Sequence, residues 1–287
     1  MSTPASRCPV WAAAEAAAAV DSLADVLRLL DTRTGSRAEV RPARPGVLRV
    51  CAHAPRAIGG SDLTALRTLL TADLLSRTAE LSGLQVLTAV DLASGSPAQA
   101  AATGDDADAL GIHPPATHAS CHDAPSSLGG PIDVHLVGQN DQVDPGQDGL
   151  FVVVGAARLG RADSHPGAGG GLLTGHRGDP LAVRLALMSF PAGQPAVLTD
   201  DELVRAGETL TYWRERVARW AESPSRPVPP AVAEAARAAF SDLDTVAVLT
   251  MLHGLPPDGS MPAGAKFETF VYADRILGLD LARDVGR

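Results

Sequence analysis

Lysine is almost missing from this chain: Lys266 is the only one in 287 residues, and arginine carries the rest of the positive charge. With 24 basic against 33 acidic residues the formal net charge is -9, so the basic field that drives non-specific nucleic-acid binding is absent. Aromatic residues make up only 3%, which argues against a stacking platform for single strands. The three cysteines, Cys8, Cys51 and Cys121, are too few and too scattered for a disulfide framework. No apolar run reaches the roughly 18 residues of a membrane span, so no membrane association is expected. The alanine-rich start, Met1 to Ala19, contains Glu15 and has no basic opening before an apolar core. It reads as a soluble helix rather than a signal peptide, and a cytoplasmic location is expected. Arginine in place of lysine, with abundant Ala, Gly and Pro, suggests a GC-rich genome.

What is present is organised around Val47 to Leu92. Val47-Leu48-Arg49-Val50-Cys51 is short, apolar and β-branched, as is Leu84 to Val90, which is the pattern of buried parallel strands. Between them Leu63, Leu66, Leu69, Leu70, Leu74, Leu75 and Leu81 recur at helical spacing, predicting a helix with one apolar face. Ser61 or Asp62 would cap its start and Gly83 its end. In a right-handed βαβ unit the turn after the first strand lies at the carboxyl edge of the sheet, where ligands bind. Cys51, His53, Gly59 and Gly60 fall in or beside that turn.

Along the chain, Trp11 to Leu30 predicts a helix, and Asp31 to Gly35 a turn. Ala93 to Gly104 reads as a loop, Asp105 to Leu110 as a short helical piece, and Pro125 to Gly130 as another loop. Ile132 to Val137 and Gly149 to Gly155 read as strands flanking an acidic loop. From Asp179 the pattern turns helical: Asp179-Pro180 to Met188, Thr199 to Trp220, Ala231 to Leu243, Thr245 to Leu252 and Phe267 to Leu281. Trp213 and Trp220, seven apart on one helix, are expected in its core. The fold class expected is α/β, a Rossmann-like (HUP-type) parallel-sheet domain followed by an α-helical bundle domain. The divisions are 1–46 for the entry segment, 47–190 for the sheet domain and 191–287 for the helices.

The order of these pieces resembles cysteinyl-tRNA synthetase and the shorter cysteine ligase of mycothiol biosynthesis. The matching pieces are Leu30 to Gly35 with Arg49-Val50-Cys51, Asp73 to Arg77 with Gly83 to Val86, Ala109 to Pro115, His118 to Cys121, Gly130 to His135, Asp179 to Leu187, Asp242 to Thr245 and Leu277 to Leu281. The resemblance implies a class I synthetase core, an actinobacterial source, a small-molecule amino acid or amine as substrate, and zinc held by Cys51 and Cys121. It also exposes departures. The family's His-Ile-Gly-His signature has no counterpart at Ile58 to Ala65, and its Lys-Met-Ser-Lys-Ser lysines have none at Ala168 to Thr174. Charges that neutralise a leaving pyrophosphate contribute several kcal/mol to the transition state, so ATP-dependent adenylation is not expected. The family's anticodon-binding domain is missing, so tRNA is not an expected partner. Its zinc-ligand histidine and glutamate should fall at Pro145 to Leu150, where Asp148 is the one donor.

The candidate metal ligands are therefore Cys51, Cys121 and His122, helped by His53; a tetrahedral site accepts two thiolates and two imidazoles. The plain alternative is two core cysteines. Candidate substrate-binding residues are His53, Gly59, Gly60, His118, Asp133 and His135, the last two at a strand that could end in the pocket. Two functions stay open. One is an enzyme that forms or transfers an aminoacyl or amide bond on a small molecule. The other is a non-catalytic pseudo-synthetase that binds an amino acid, zinc, a protein partner or a second copy of itself.

Overall fold

The computed structural model describes residues 27–54, 62–91, 97–139, 148–160, 173 and 178–287. Its first described element is an antiparallel hairpin, β1 (Arg28–Asp31) and β2 (Ser36–Glu39). The helix expected over Trp11–Leu30 therefore fails at its end: Leu29 is buried while Arg28 and Leu30 are exposed, the two-residue period of a strand. Residues 11–26 lie outside the described residues.

Five strands form one parallel sheet: β3 (Val47–His53), β4 (Gln85–Asp91), β5 (Thr117–His118), β6 (Val134–Gly138) and β7 (Leu150–Val154). Their spatial order is β5-β4-β3-β6-β7. The chain steps outward from β3 through α1 (Leu63–Leu81) to β4 and through α2 (Pro97–Ala109) to β5. The short α3 (Ala124–Ser127) then returns it to the other side of β3, where β6 and β7 are laid down. This is the Rossmann-like α/β arrangement, and its strand order reverses between β3 and β6.

The helix α1 starts where its cap predicts: the Asp62 carboxylate accepts the Thr64 N–H at 2.7 Å, and Gly83, at φ +85°, follows the end. It differs from the amphipathic expectation because nearly every position is buried. Its polar residues tolerate this because their groups are satisfied locally. Thr68, Thr71 and Thr78 donate to the carbonyls of Thr64, Arg67 and Leu74. Arg67 donates to the carbonyls of Gly155, Phe190, Pro191 and Gln194. Two expected loops are partly helical: α2 begins at Pro97 rather than Asp105, and Ala124–Ser127 makes the single turn of α3.

The strands β8 (Ala157–Leu159) and β9 (Ala196–Leu198) form a separate parallel pair. Five helices make up the remainder, α4 (Pro180–Met188), α5 (Asp200–Trp220), α6 (Pro230–Ser241), α7 (Thr245–Gly254) and α8 (Ala263–Leu277). The Thr199–Glu202 capping box opens α5, with both reciprocal bonds formed. Trp213 and Trp220 pack edge-on against Phe270 at 5.7 and 5.3 Å. One hydrophobic core runs from Leu29 in the hairpin to Leu281 beyond α8. No helix among the described residues is long and apolar enough to cross a membrane.

A buried ion-pair network joins the sheet to the helices. Arg184 of α4, fully buried, pairs with Asp73 of α1 at 2.6 Å and donates to the carbonyls of Leu110 and Leu277. Arg77 pairs with the same carboxylate at 2.8 Å. Nearby, Arg214 of α5 pairs with Asp179 and donates to the carbonyls of Leu279 and Asp280. Gly278 sits at φ +60°, and a Cβ there would lie 2.9 Å from the Arg184 guanidinium, so no side chain fits without displacing it.

Candidate functional site

Strands alternate their side chains between the two faces of a sheet. In β3, Leu48, Val50 and Ala52 enter the main core. Cys51 instead joins a small second cluster with Ala89, Leu128 and Ile132 beneath α3. Parallel register places Cys51 beside both Ala89 and His135, and His53 beside both Asp91 and Val137. Cys51, His53, Asp91 and His135 therefore share one face: His53 and Asp91 end β3 and β4, and His135, the second residue of β6, lies beside Cys51 where the strand order reverses. That crevice is the general ligand position of open α/β sheets.

The donor atoms converge there. Those of Cys51, His53 and His135 all lie within 4.8 Å of one another, as do those of His53, Asp91 and Cys121. His53 belongs to both triads. His53 Nε2 and His135 Nδ1 are 3.0 Å apart, and His135 Nε2 is 3.0 Å from the Asp148 carbonyl oxygen. A carbonyl only accepts, so His135 carries its proton on Nε2 and its Nδ1 accepts from His53 Nε2–H. The ring of His135 stacks on Phe151 of β7 at 4.5 Å between centroids, and Arg33, from the β1–β2 turn, lies 4.0 Å from the Phe151 centroid. Arg33 also donates to the Gly149 carbonyl, and the Asp91 carboxylate accepts the Cys121 N–H at 2.7 Å.

Burial sets the protonation states. It lowers the pKa of His53, against the opposing charge of Asp91. Burial, then the charge of His53 and that of Arg33, lower His135 to about 4 despite its bond to Asp148. The Cys51 thiol is pushed up to about 12 by burial, then by Asp91 and Cys121. Without a cation the site thus holds neutral imidazoles and a neutral Cys51 thiol. A bound divalent cation inverts this logic and favours the thiolate. The donor set of sulfur, imidazole nitrogen and carboxylate oxygen suits zinc. The Nε2–H of His135 on a carbonyl is the outer bond that orients metal-ligating histidines.

The positions expected from sequence divide clearly. Cys51, His53 and His135 come together, with Cys121 in the adjoining triad. His122 is exposed and belongs to neither triad, whereas His135 joins Cys51 and His53. Asp133 immediately precedes β6, two residues before His135, and its carboxylate accepts the N–H groups of Ala43 and Arg49 at 2.7 and 2.8 Å, so its acceptors are engaged in holding the entry segment and β3. His118 is exposed on β5 and lines a cavity on the other face of the sheet. Gly59 and Gly60 lie outside the described residues, as do Asp141 and Asp144. Asp148 offers its backbone carbonyl to His135. Asp91, Phe151 and Arg33 carried no sequence motif. The signal for Asp91 was its place at the end of the second strand of the βαβ unit.

No family profile matches the chain. Over 104 residues it is 34% identical to the L-cysteine:1D-myo-inositol 2-amino-2-deoxy-alpha-D-glucopyranoside ligase of Kribbella flavida, a stretch covering 36% of this chain and 25% of that protein. The chain is thus similar to a cysteine ligase over about a quarter of the ligase's length.

Proposed function

We propose that the chain is a cysteine-ligase-like protein whose crevice holds zinc through Cys51, His53 and His135, with Asp91 and Cys121 alongside, and there takes a small thiol-bearing amino acid. The observation that carries this reading is the meeting of the two donor triads at His53, at the point where strand order reverses. Zinc, when bound, supplies a Lewis acid that keeps a thiol ionised near neutral pH. The protein's own residues do the rest. His135 is oriented by Asp148 and Phe151, Asp91 is oriented by the Cys121 N–H, and burial beneath α3 keeps water from Cys51. A substrate bound through its sulfur leaves its carboxyl exposed; an amide would form there only from a carboxyl already activated with a leaving group, which departs as the amine nitrogen takes its place. A reducing cytosolic setting suits Cys51 and Cys121, which form no disulfide.

Lys266 favours a second reading, binding without adenylation. It is buried in α8, with its Nζ donating to the Pro256 carbonyl at 3.0 Å and lying 5.6 Å from the Trp220 ring centroid. Its charge is engaged in packing the helices rather than offered to a triphosphate.

Calorimetry on zinc-loaded protein tests the proposal. Cysteine should bind and serine should bind about tenfold more weakly or worse, since a hydroxyl is a poorer zinc ligand than a thiolate. Equal affinity for both, or cysteine binding that survives complete chelation of the metal, would sink it. ATP–pyrophosphate exchange dependent on cysteine would decide for the ligase over the binding protein.

A further inference from the structure

The face of the sheet opposite Cys51, His53 and His135 carries a cavity of about 760 Å³ between α1 and α2, over β4 and β5. That volume lies in the range of small-molecule sites. Val86, Thr88 and Val90 of β4 line it, and these alternate with Leu87, Ala89 and Asp91, so the cavity and the donor triads occupy opposite sides of the same strand. Its floor is apolar: Leu69 and Ala72 of α1, Val90, and Ile112 after α2 are all buried. Two hydroxyls interrupt the floor, Ser76 Oγ and Thr88 Oγ1, 3.4 Å apart, which leaves both with hydrogen-bonding capacity to spare.

The charges at the mouth are of one sign. Glu80, Asp105 and Asp108 line the cavity and are exposed; His113 and His118 also line it, and among the described residues no arginine or lysine does. Asp73 also lines it, but its carboxylate is taken by Arg77, Arg184 and the His113 N–H. The carboxylates of Glu80, Asp105 and Asp108 have no such ion pair among the described residues. An apolar chamber with uncompensated carboxylates at its rim is complementary to an ammonium group on a hydrocarbon body, and it repels a carboxylate or phosphate.

We propose that this cavity is a second binding site, for a small primary amine carried on an apolar body. The hydrocarbon part lies against Leu69, Ala72, Val90 and Ile112. The ammonium lies at the rim, facing Glu80, Asp105 and Asp108. The site is independent of any metal at His53.

Titration calorimetry of the full chain with cyclohexylmethylamine, cyclohexylmethanol and cyclohexanecarboxylate tests this. The amine should bind best and the alcohol about tenfold more weakly, as three partly screened charge interactions would give; the carboxylate should give no measurable heat. Glu80→Gln, Asp105→Asn and Asp108→Asn combined should bring the amine down to the alcohol's affinity. All three are exposed, so the fold should survive. Ala100→Trp, on the half-buried cavity wall, should remove binding of both amine and alcohol, with thermal melting reporting whether the variant folds. Cys51→Ser should leave amine binding unchanged, which separates this site from the metal reading. No binding by the amine, equal binding by the carboxylate, full amine affinity in the triply neutralised protein, or loss of amine binding in Cys51→Ser would each overturn the proposal.

Discussion

Protonating His135 breaks its acceptor bond from His53 and creates a buried charge beside Arg33. Because its pKa falls to about 4 in the folded protein, the unfolded chain binds the extra proton between that value and the ordinary histidine pKa of about 6.5. Stability therefore rises with pH across this window, is fully present above it, and is lost as pH falls toward 4. In metal-stripped protein the loss attributable to this group should amount to a few kcal/mol, since each tenfold difference in proton affinity between the two states is worth about 1.4 kcal/mol. Urea unfolding at a series of pH values should show the slope in the wild type and a flatter one in His135→Gln. Metal uptake gives a second test of individual residues. Cys51→Ser and His135→Ala should lose stoichiometric zinc by elemental analysis, whereas His122→Ala should keep it, since His122 is exposed outside both triads. Because the Cys51 thiol stands near 12 without metal, zinc loading should release at least one proton and tighten as pH rises. Calorimetry in two buffers of different protonation enthalpy measures that release.

The elements show which parts of this structure could be read from sequence. The bounds of α1, α4 and α5 were legible because each starts on a side-chain cap: Asp62, Asp179 before Pro180, and the Thr199–Glu202 box. Strand β1 was not, because Arg28–Leu30 continues an alanine-rich helical pattern and becomes a strand only against Arg37–Glu39. The first half of α2, before Asp105, was hidden by its Ala and Gly content, which reads as loop until Ala107 and Leu110 find the core. The polarity of α1 misled in a third way. Threonines and Arg67 looked like a solvent face but are satisfied by carbonyls. Arg67→Met should therefore cost more than a surface arginine, about 2–4 kcal/mol, because several buried carbonyls lose a charged donor at once. A drop in the urea midpoint with an unchanged slope would show it. For the crevice, residues at strand ends could be nominated from the sheet rule alone. Asp91, at a strand end, gave that positional signal, though its place beside His53 depends on parallel register; Arg33 gave none, because it depends on a hairpin turn reaching Phe151.

Across the whole molecule, several short segments meet at one place. Asp73 and Arg77, Leu110 and Gly111, Arg184, and Leu277 with Gly278 all contribute to the same buried network. These segments are far apart in sequence, and their common purpose was invisible until the carboxylate and guanidiniums were located. Asp73→Asn should destabilise the protein by about 3–5 kcal/mol, because it strands the Arg184 charge in the interior. Differential scanning calorimetry should show the lower melting temperature, and sheet and helices should melt together in one transition because they share this network and one core. Arg184 and Arg214 also depend on carbonyls at Leu277, Leu279 and Asp280. Shortening the chain by its last dozen residues would thus strip two interior guanidiniums of these acceptors while their pairs with Asp73 and Asp179 remain, and expression of such a piece should yield inclusion bodies rather than a minimal sheet module.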